Sequence, residues 1–194
     1  MKEGDLRGEK VILREKRLAD ASDDYRWRCD DELARLDAAP PLRMGYQEFL
    51  RLYQEELLYP SPWSRRFAIE TLDHRHIGNC MYYDIDPVRG TAELGILIGE
   101  RQYWERGYGT DVVTTLLCHI FTTTPITKVY LHTLEWNRRA RRCFEKCGFA
   151  LKKTVRRNGQ NLVYMEITQE EWLRAQEQKA APLSSPRQGT QGPD

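Results

Sequence analysis

The segment that most limits what this chain can fold into is Asp111–Thr123, where Val112, Val113, Leu116, Leu117, Ile120 and Phe121 fall on one stripe at helical spacing. A stripe that wide must lie on an apolar surface, and the flanking segments supply one made of strands. Ahead of it stand Arg66–Thr71, Ile77–Ile85 and Ala92–Ile98, apolar-rich runs parted by the turn signals Asp73-His74 and Asp86-Pro87-Val88-Arg89-Gly90. They read as consecutive antiparallel strands joined by hairpins. Behind it, Pro125 closes the helix and Lys128–Leu134 reads as a strand. Asn137–Cys147 is a second helix whose Ala140, Cys143, Phe144 and Cys147 share a face, with Gly148 as its left-handed cap. Ala150–Arg156 and Leu162–Ile167 are two further strands.

The N-terminal part reads in the same way. Lys10–Arg14 is an opening strand, and Ala19–Leu36 a charged, loosely helical stretch ended by Pro40-Pro41. From Tyr46, the residues Phe49, Leu50, Tyr53, Leu57 and Leu58 recur at helical spacing until Pro60-Ser61-Pro62 breaks the run. The expectation is an α/β fold with a mixed, mostly antiparallel sheet of about seven strands flanked by helices, forming one domain over residues 1–175. From Gln176 the chain is Gln, Pro, Ser and Gly with almost nothing apolar, so residues 176–194 are expected to be a disordered tail.

Composition narrows the function. Lys and Arg total 30 against 29 for Asp and Glu, so the net charge of +1 gives no basis for a general nucleic-acid binder. The first residues, MKEGDLRGEK, are charged throughout, and no run approaches the roughly 18 apolar residues of a membrane span, so a cytoplasmic protein with no membrane partner is expected. Five cysteines, at 29, 80, 118, 143 and 147, include no C-x-x-C pair and read as reduced, mostly buried thiols with no metal.

Between the strand at Ala92–Ile98 and the Asp111 helix lies Tyr103-Trp104-Glu105-Arg106-Gly107-Tyr108-Gly109-Thr110. Paired glycines let backbone N–H groups turn inward, and the helix that follows adds positive potential, so the loop suits a phosphate or pyrophosphate. Arg106 adds a charge. On its residues alone the loop is either such a cradle or an ordinary tight turn. Residues 110–112 hold no third glycine and there is no G-K-[ST], which weighs against a plain nucleotide-phosphate binder.

Taken in order, Ala92–Ile98, the Gly107/Gly109 loop, the Asp111 helix, the Lys128 strand, Glu135-Trp136-Asn137-Arg138-Arg139-Ala140 and Phe144-Glu145-Lys146-Cys147-Gly148-Phe149 resemble the GNAT superfamily of N-acetyltransferases. More narrowly they resemble the branch holding ribosomal-protein N-terminal acetyltransferases. The resemblance spans Gly8–Trp172 and is most specific over Ala92–Phe149. It implies acetyl-coenzyme A lying between the strand that ends at Ile98 and the next, parallel strand. The pyrophosphate would sit on Trp104, Arg106, Gly107, Tyr108, Gly109 and Thr110, and the pantetheine would pair along Ile96, Leu97 and Ile98 and be hydrogen-bonded by Asn137. It implies direct acetyl transfer to a primary amine, on a small molecule or a protein N-terminus, by a monomer or homodimer without a metal.

Three positions depart from the family's pattern. Trp104 takes the first place of the [QR]-x-x-G-x-[GA] loop, as it often does in this branch. Glu105 replaces a residue that is commonly glycine, and Phe144 stands where a tyrosine often protonates the departing thiolate. The resemblance assigns Glu93 as general base, because an ammonium must lose a proton before its nitrogen attacks. Strand alternation places Glu93 with Leu97 and opposite Leu94, Ile96 and Ile98, so it is either that base or an exposed strand carboxylate. Asn137 also suits a helix N-cap. His74 and His76 read as solvent-exposed turn residues, His119 and His132 as structural, and Arg138, Arg139, Arg141 and Arg142 as a solvated face or a contact for the cofactor's 3′-phosphate. The rival is a non-catalytic module of the same fold that binds coenzyme A or a protein; Phe144 and Glu105 favour it, the glycine loop and Glu93 the enzyme.

Overall fold

Alternation along the central strands divides the sheet into a dry face and a polar one. The computed structural model of the chain describes residues 4–180. Its strands are β1 (Leu6–Arg7), β2 (Val11–Glu15), β3 (Arg65–Thr71), β4 (His76–Asp86), β5 (Thr91–Ile98), β6 (Lys128–Leu134), β7 (Ala150–Arg157) and β8 (Gln160–Thr168). The helices are α1 (Ala21–Cys29), α2 (Asp31–Leu36), α3 (Tyr46–Leu58), α4 (Tyr108–Thr123), α5 (Arg138–Lys146) and α6 (Gln169–Ala180). The sheet runs β1-β2-β3-β4-β5-β6-β8-β7, and every neighbouring pair is antiparallel except β5 and β6.

The sheet has eight strands where the sequence suggests about seven. The addition is β1, whose two residues are too short to show alternation and which pairs Leu6 with Leu13 and Arg7 with Ile12. The turn that follows it is held from a distance, since the Asp111 carboxylate accepts from the N–H groups of Glu9, Lys10 and Val11 at 3.1, 2.8 and 3.1 Å. The stretch read as one helix over Ala19–Leu36 is two: Asp30 is extended (φ −75°, ψ 121°) and its carboxylate caps α2 by accepting from Glu32 and Leu33 N–H. At the other end, α6 continues through Gln176 to Ala180, so the expected tail is helical in its first residues; residues 181–194 lie outside the described ones. Of the cysteines, expected mostly buried, Cys80 alone is fully so and Cys118 is exposed.

The dry face carries α4. Its Val112, Val113, Leu116, Leu117 and Ile120 are at most 1% exposed and pack on Ala92 and Leu94 of β5, Val129 and Leu131 of β6, and Val163, Met165 and Ile167 of β8. Each such side chain contributes on the order of 1.5–3 kcal/mol of burial. The opposite face carries α1–α3 over β2–β4, where Arg14 of β2 binds both oxygens of Asp20 (2.8 and 2.7 Å) as well as Glu70, and Lys16 lies between Asp24 and Asn79. On that face β6 and β8 present Tyr130, His132, Tyr164 and Glu166, all half-buried.

Candidate active site

The two parallel strands at the centre of the sheet stop pairing early. The β5–β6 ladder covers Thr91–Lys128, Ala92–Val129 and Glu93–Tyr130 and ends there. Beyond it Leu94–Ile98 remain paired with β4, and Leu131–Leu134 with β8, so the strands part and leave the inner edge of β5 without a strand partner. Ile96 and Leu97 lie along that edge; the Ile98 carbonyl is already taken, accepting from the Trp104 indole N–H at 2.7 Å.

At the open end of the gap is the glycine loop. Gly107 has φ +84°, a left-handed conformation that suits glycine, and from it the chain turns directly into α4, three residues earlier than the apolar stripe suggests. No side chain caps this helix, so the N–H groups of its first turn remain available to an anion. Gly109 meets α5 closely: a Cβ there would stand 3.3 Å from Cys143 Sγ, and Thr110 Oγ1 is 3.6 Å from the same sulfur. The Cys147 contact, then Thr110, lower the Cys143 thiol to about 7 against the opposing effect of burial. Tyr108 packs edge-on against Tyr103 at 4.9 Å.

Cations surround the loop. Arg106 is exposed, and its carbonyl accepts from Lys10 Nζ at 3.2 Å. Lys10 was not singled out from sequence; it lies 96 residues away and reaches the loop through the β1–β2 turn held by Asp111. Arg139 stacks on Trp104, its guanidinium carbon 3.5 Å from the ring centre, and partial burial lowers its pKa while Glu105 works the other way. Of the four arginines of α5, this one therefore stands at the loop. Glu105, at φ +58°, adopts the left-handed conformation that a glycine would take without cost.

Glu93 is not an exposed strand carboxylate. It is 7% exposed and lies at the point where β5 and β6 part. Its Oε1 is 2.8 Å from Nδ1 of His132, a residue whose place in the sequence suggests only a structural role on its strand. The Glu93 carboxylate only accepts, so Nδ1 carries a proton, and this contact selects the neutral tautomer whose lone pair is on Nε2. Around the pair stand Tyr83, pushed up by burial and then by the Glu93 charge, and Tyr130, raised by burial, Glu93 and Asp84 and lowered by Arg157. Tyr164 stacks on Tyr130 at 5.5 Å, and its hydroxyl donates to Glu166 at 2.9 Å.

Other expected residues lie elsewhere or serve the fold. Asn137 caps α5, its Oδ1 accepting from Ala140 N–H at 3.2 Å. Phe144 is 6% exposed and packs edge-on against Phe149, with no hydroxyl to give. His74 is in the β3–β4 turn beside Glu70, but His76 is not solvent-exposed: its ring lies 4.8 Å from that of Trp27 and Nε2 is 3.0 Å from the Gly78 carbonyl. Among the described residues no helix is long and apolar enough to cross a membrane.

A family model described as an acetyltransferase (GNAT) domain matches residues 10–150. The chain belongs to the GNAT acetyltransferase family. GNAT structures similar in fold include a spermidine N-acetyltransferase from Vibrio cholerae in complex with CoA and spermine, with a TM-score of 0.75 at 22% identity over 84% of this chain and 98% of that one. An aminoglycoside acetyltransferase, AAC(6′)-Ib, in complex with coenzyme A matches with a TM-score of 0.72 at 23% identity over 86% and 99%. A dodecameric structure of the Vibrio cholerae enzyme matches at 0.68 with 22% identity over 85% and 97%. In this GNAT chain the Glu93–His132 pair stands where β5 and β6 part, and the glycine loop is tied to the end of β5 through Trp104 and Ile98.

Proposed function

We propose that the protein transfers the acetyl group of acetyl-coenzyme A directly to a primary amine, with His132 accepting the amine's proton and Glu93 holding His132 in the required tautomer. The observation that carries this is the Glu93–His132 hydrogen bond at the point where β5 and β6 part. The residues present fit the cosubstrate. The uncapped first turn of α4, with Gly107, Lys10, Arg106 and Arg139 beside it, suits the pyrophosphate, and the unpaired edge at Ile96–Leu97 suits an extended amide-bearing arm. Asn137 spends its carbonyl oxygen on the α5 cap and keeps its amide N–H for that arm.

When bound, the thioester supplies an activated acyl group. The chain's own task is to free the amine lone pair: His132 Nε2 takes the proton, and the buried Glu93 carboxylate stabilises the imidazolium that forms. A thiolate is a good leaving group, so the phenyl ring of Phe144 is no obstacle. The acceptor is an amine of a small molecule, as in the spermidine and aminoglycoside enzymes similar in fold, or a protein N-terminus, as in the ribosomal-protein branch that the segments from Ala92 to Phe149 resemble. We read the assembly as a monomer or homodimer in the cytoplasm.

The test is calorimetry of acetyl-coenzyme A on Gly107→Val, combined with thiol release from the wild type over a panel of amines. A β-branched residue at φ +84° is strained and displaces the loop, so affinity should be lost with circular dichroism unchanged. Wild-type affinity in that variant sinks the pyrophosphate assignment. Tight cofactor binding without thiol release on any amine supports the non-catalytic module.

A further inference from the structure

The face that carries Glu93 and His132 is electrically divided, and the division concerns the acceptor. On the β4–β5 side the charges near Tyr83 and Tyr130 are acidic: Glu93 itself, Asp84, and Asp37 just after α2. These charges favour an ammonium at His132. Across β6 and β8 the sign changes. From Ala150 to Asn161 the chain holds Lys152, Lys153, Arg156 and Arg157 and no acidic residue.

Register says which of these face the site. Lys153 pairs with Tyr164 and Arg157 with Gln160, so by alternation Lys153, Val155 and Arg157 share the face of Tyr130, His132 and Tyr164. Lys153 Nζ lies 5.1 Å from the Tyr164 ring centre, and Arg157 is near enough to lower Tyr130. Lys128 and Lys152 are engaged by Glu166 at 3.9 and 3.7 Å, but among the described residues neither Lys153 nor Arg157 has a carboxylate partner. Two exposed, unneutralised cations thus stand on the far side of an aromatic floor from the base.

From this arrangement we infer that the acceptor is the amino terminus of an acidic peptide, its amine at His132 and its side-chain carboxylates on Lys153 and Arg157. The inference rests on the acetyltransferase reading above. His132 and Lys153 both pair with Tyr164 and so are two strand spacings apart, about 10 Å, which an extended peptide covers in about three residues. A polycation such as spermine finds its second ammonium beside Lys153 and Arg157 and is repelled.

The experiment measures kcat/KM by thiol release for two tetrapeptides with free amino termini, Ala-Ala-Glu-Glu and Ala-Ala-Lys-Lys, and for spermine. The acidic peptide should exceed both others by tenfold or more at low salt, with the preference shrinking as ionic strength rises. In Lys153→Glu/Arg157→Glu the order of the peptides should invert while KM for acetyl-coenzyme A stays constant. Spermine or the basic peptide as the better wild-type acceptor overturns the inference, and so does a peptide preference the double variant leaves unmoved; in both cases acetyl transfer itself stands. Acetyl-coenzyme A binding with no acetylation of any of the three amines overturns the inference alone, and the enzyme reading falls with it only when the wider amine panel also releases no thiol.

Discussion

If Glu93 and His132 act as one unit, removing either should cost nearly as much as removing both. The structure sets the terms: Glu93 is 7% exposed, its Oε1 is 2.8 Å from His132 Nδ1, and the two residues come from neighbouring parallel strands. In His132→Gln no ring nitrogen is left to take the proton. A positioned general base is worth about 10²–10⁴ in rate, or about 2.7–5.5 kcal/mol at 1.36 kcal/mol per tenfold. In Glu93→Gln the amide can turn its NH2 toward the ring, which makes Nδ1 an acceptor and puts the proton on Nε2, so a loss in the same range is expected from the wrong tautomer. The double variant should then fall no more than a few-fold below the worse single one, since residues that act as a unit are far from additive. The assay is kcat/KM for the amine at saturating acetyl-coenzyme A, with cofactor affinity measured alongside. Loss of the imidazole also leaves a buried carboxylate short of a donor, about 1–3 kcal/mol of stability, which a urea titration separates from the catalytic loss. Turnover in His132→Gln within threefold of wild type would refute the assignment of the base to His132. A double variant whose loss equals the product of the single losses would show two independent roles.

Two further outcomes follow from the same structure. Glu105→Gly releases a non-glycine residue from φ +58°, worth about 1 kcal/mol before the added flexibility of the unfolded glycine, and frees Arg139 of the adjacent carboxylate. Acetyl-coenzyme A should bind more tightly, with the melting temperature equal or higher; weaker binding contradicts the account of the loop. Burial alone would raise the Asp20 carboxyl, but Arg14 and the Arg17 N–H outweigh it and hold it below the ordinary range. The stability it lends is complete above the unfolded value of about 3.9 and is lost as pH falls through the lower folded value. Asp20→Asn should therefore cost about 3–5 kcal/mol at pH 7 and flatten the acid limb of stability, read by urea denaturation from pH 7 to pH 2; curves that run parallel for the two proteins refute the linkage.

What the sequence determined by itself is what repeats within a few residues. The stripe from Val112 to Phe121 dictated a helix on a sheet, and turn signals cut the strands near their observed ends. Gly107 marked the loop, and Asn137 its helix cap. Each rests on a period or a backbone preference carried by neighbouring residues. Tertiary structure decided the rest. The pairing of β1 with β2 depends on Asp111, about a hundred positions along the chain, and Lys10 reaches Arg106 across a separation of 96. His132 looked like any half-buried strand residue until the β5–β6 register set it against Glu93, 39 residues earlier. The basic face of β7 gained its meaning when β8 paired with β6 as well, which set His132 and Lys153 on either side of Tyr164. The physical reason is common to all of these: local periodicity fixes which way a side chain points from its own strand, but which strand lies alongside, and at what register, is settled by burial summed over the whole sheet.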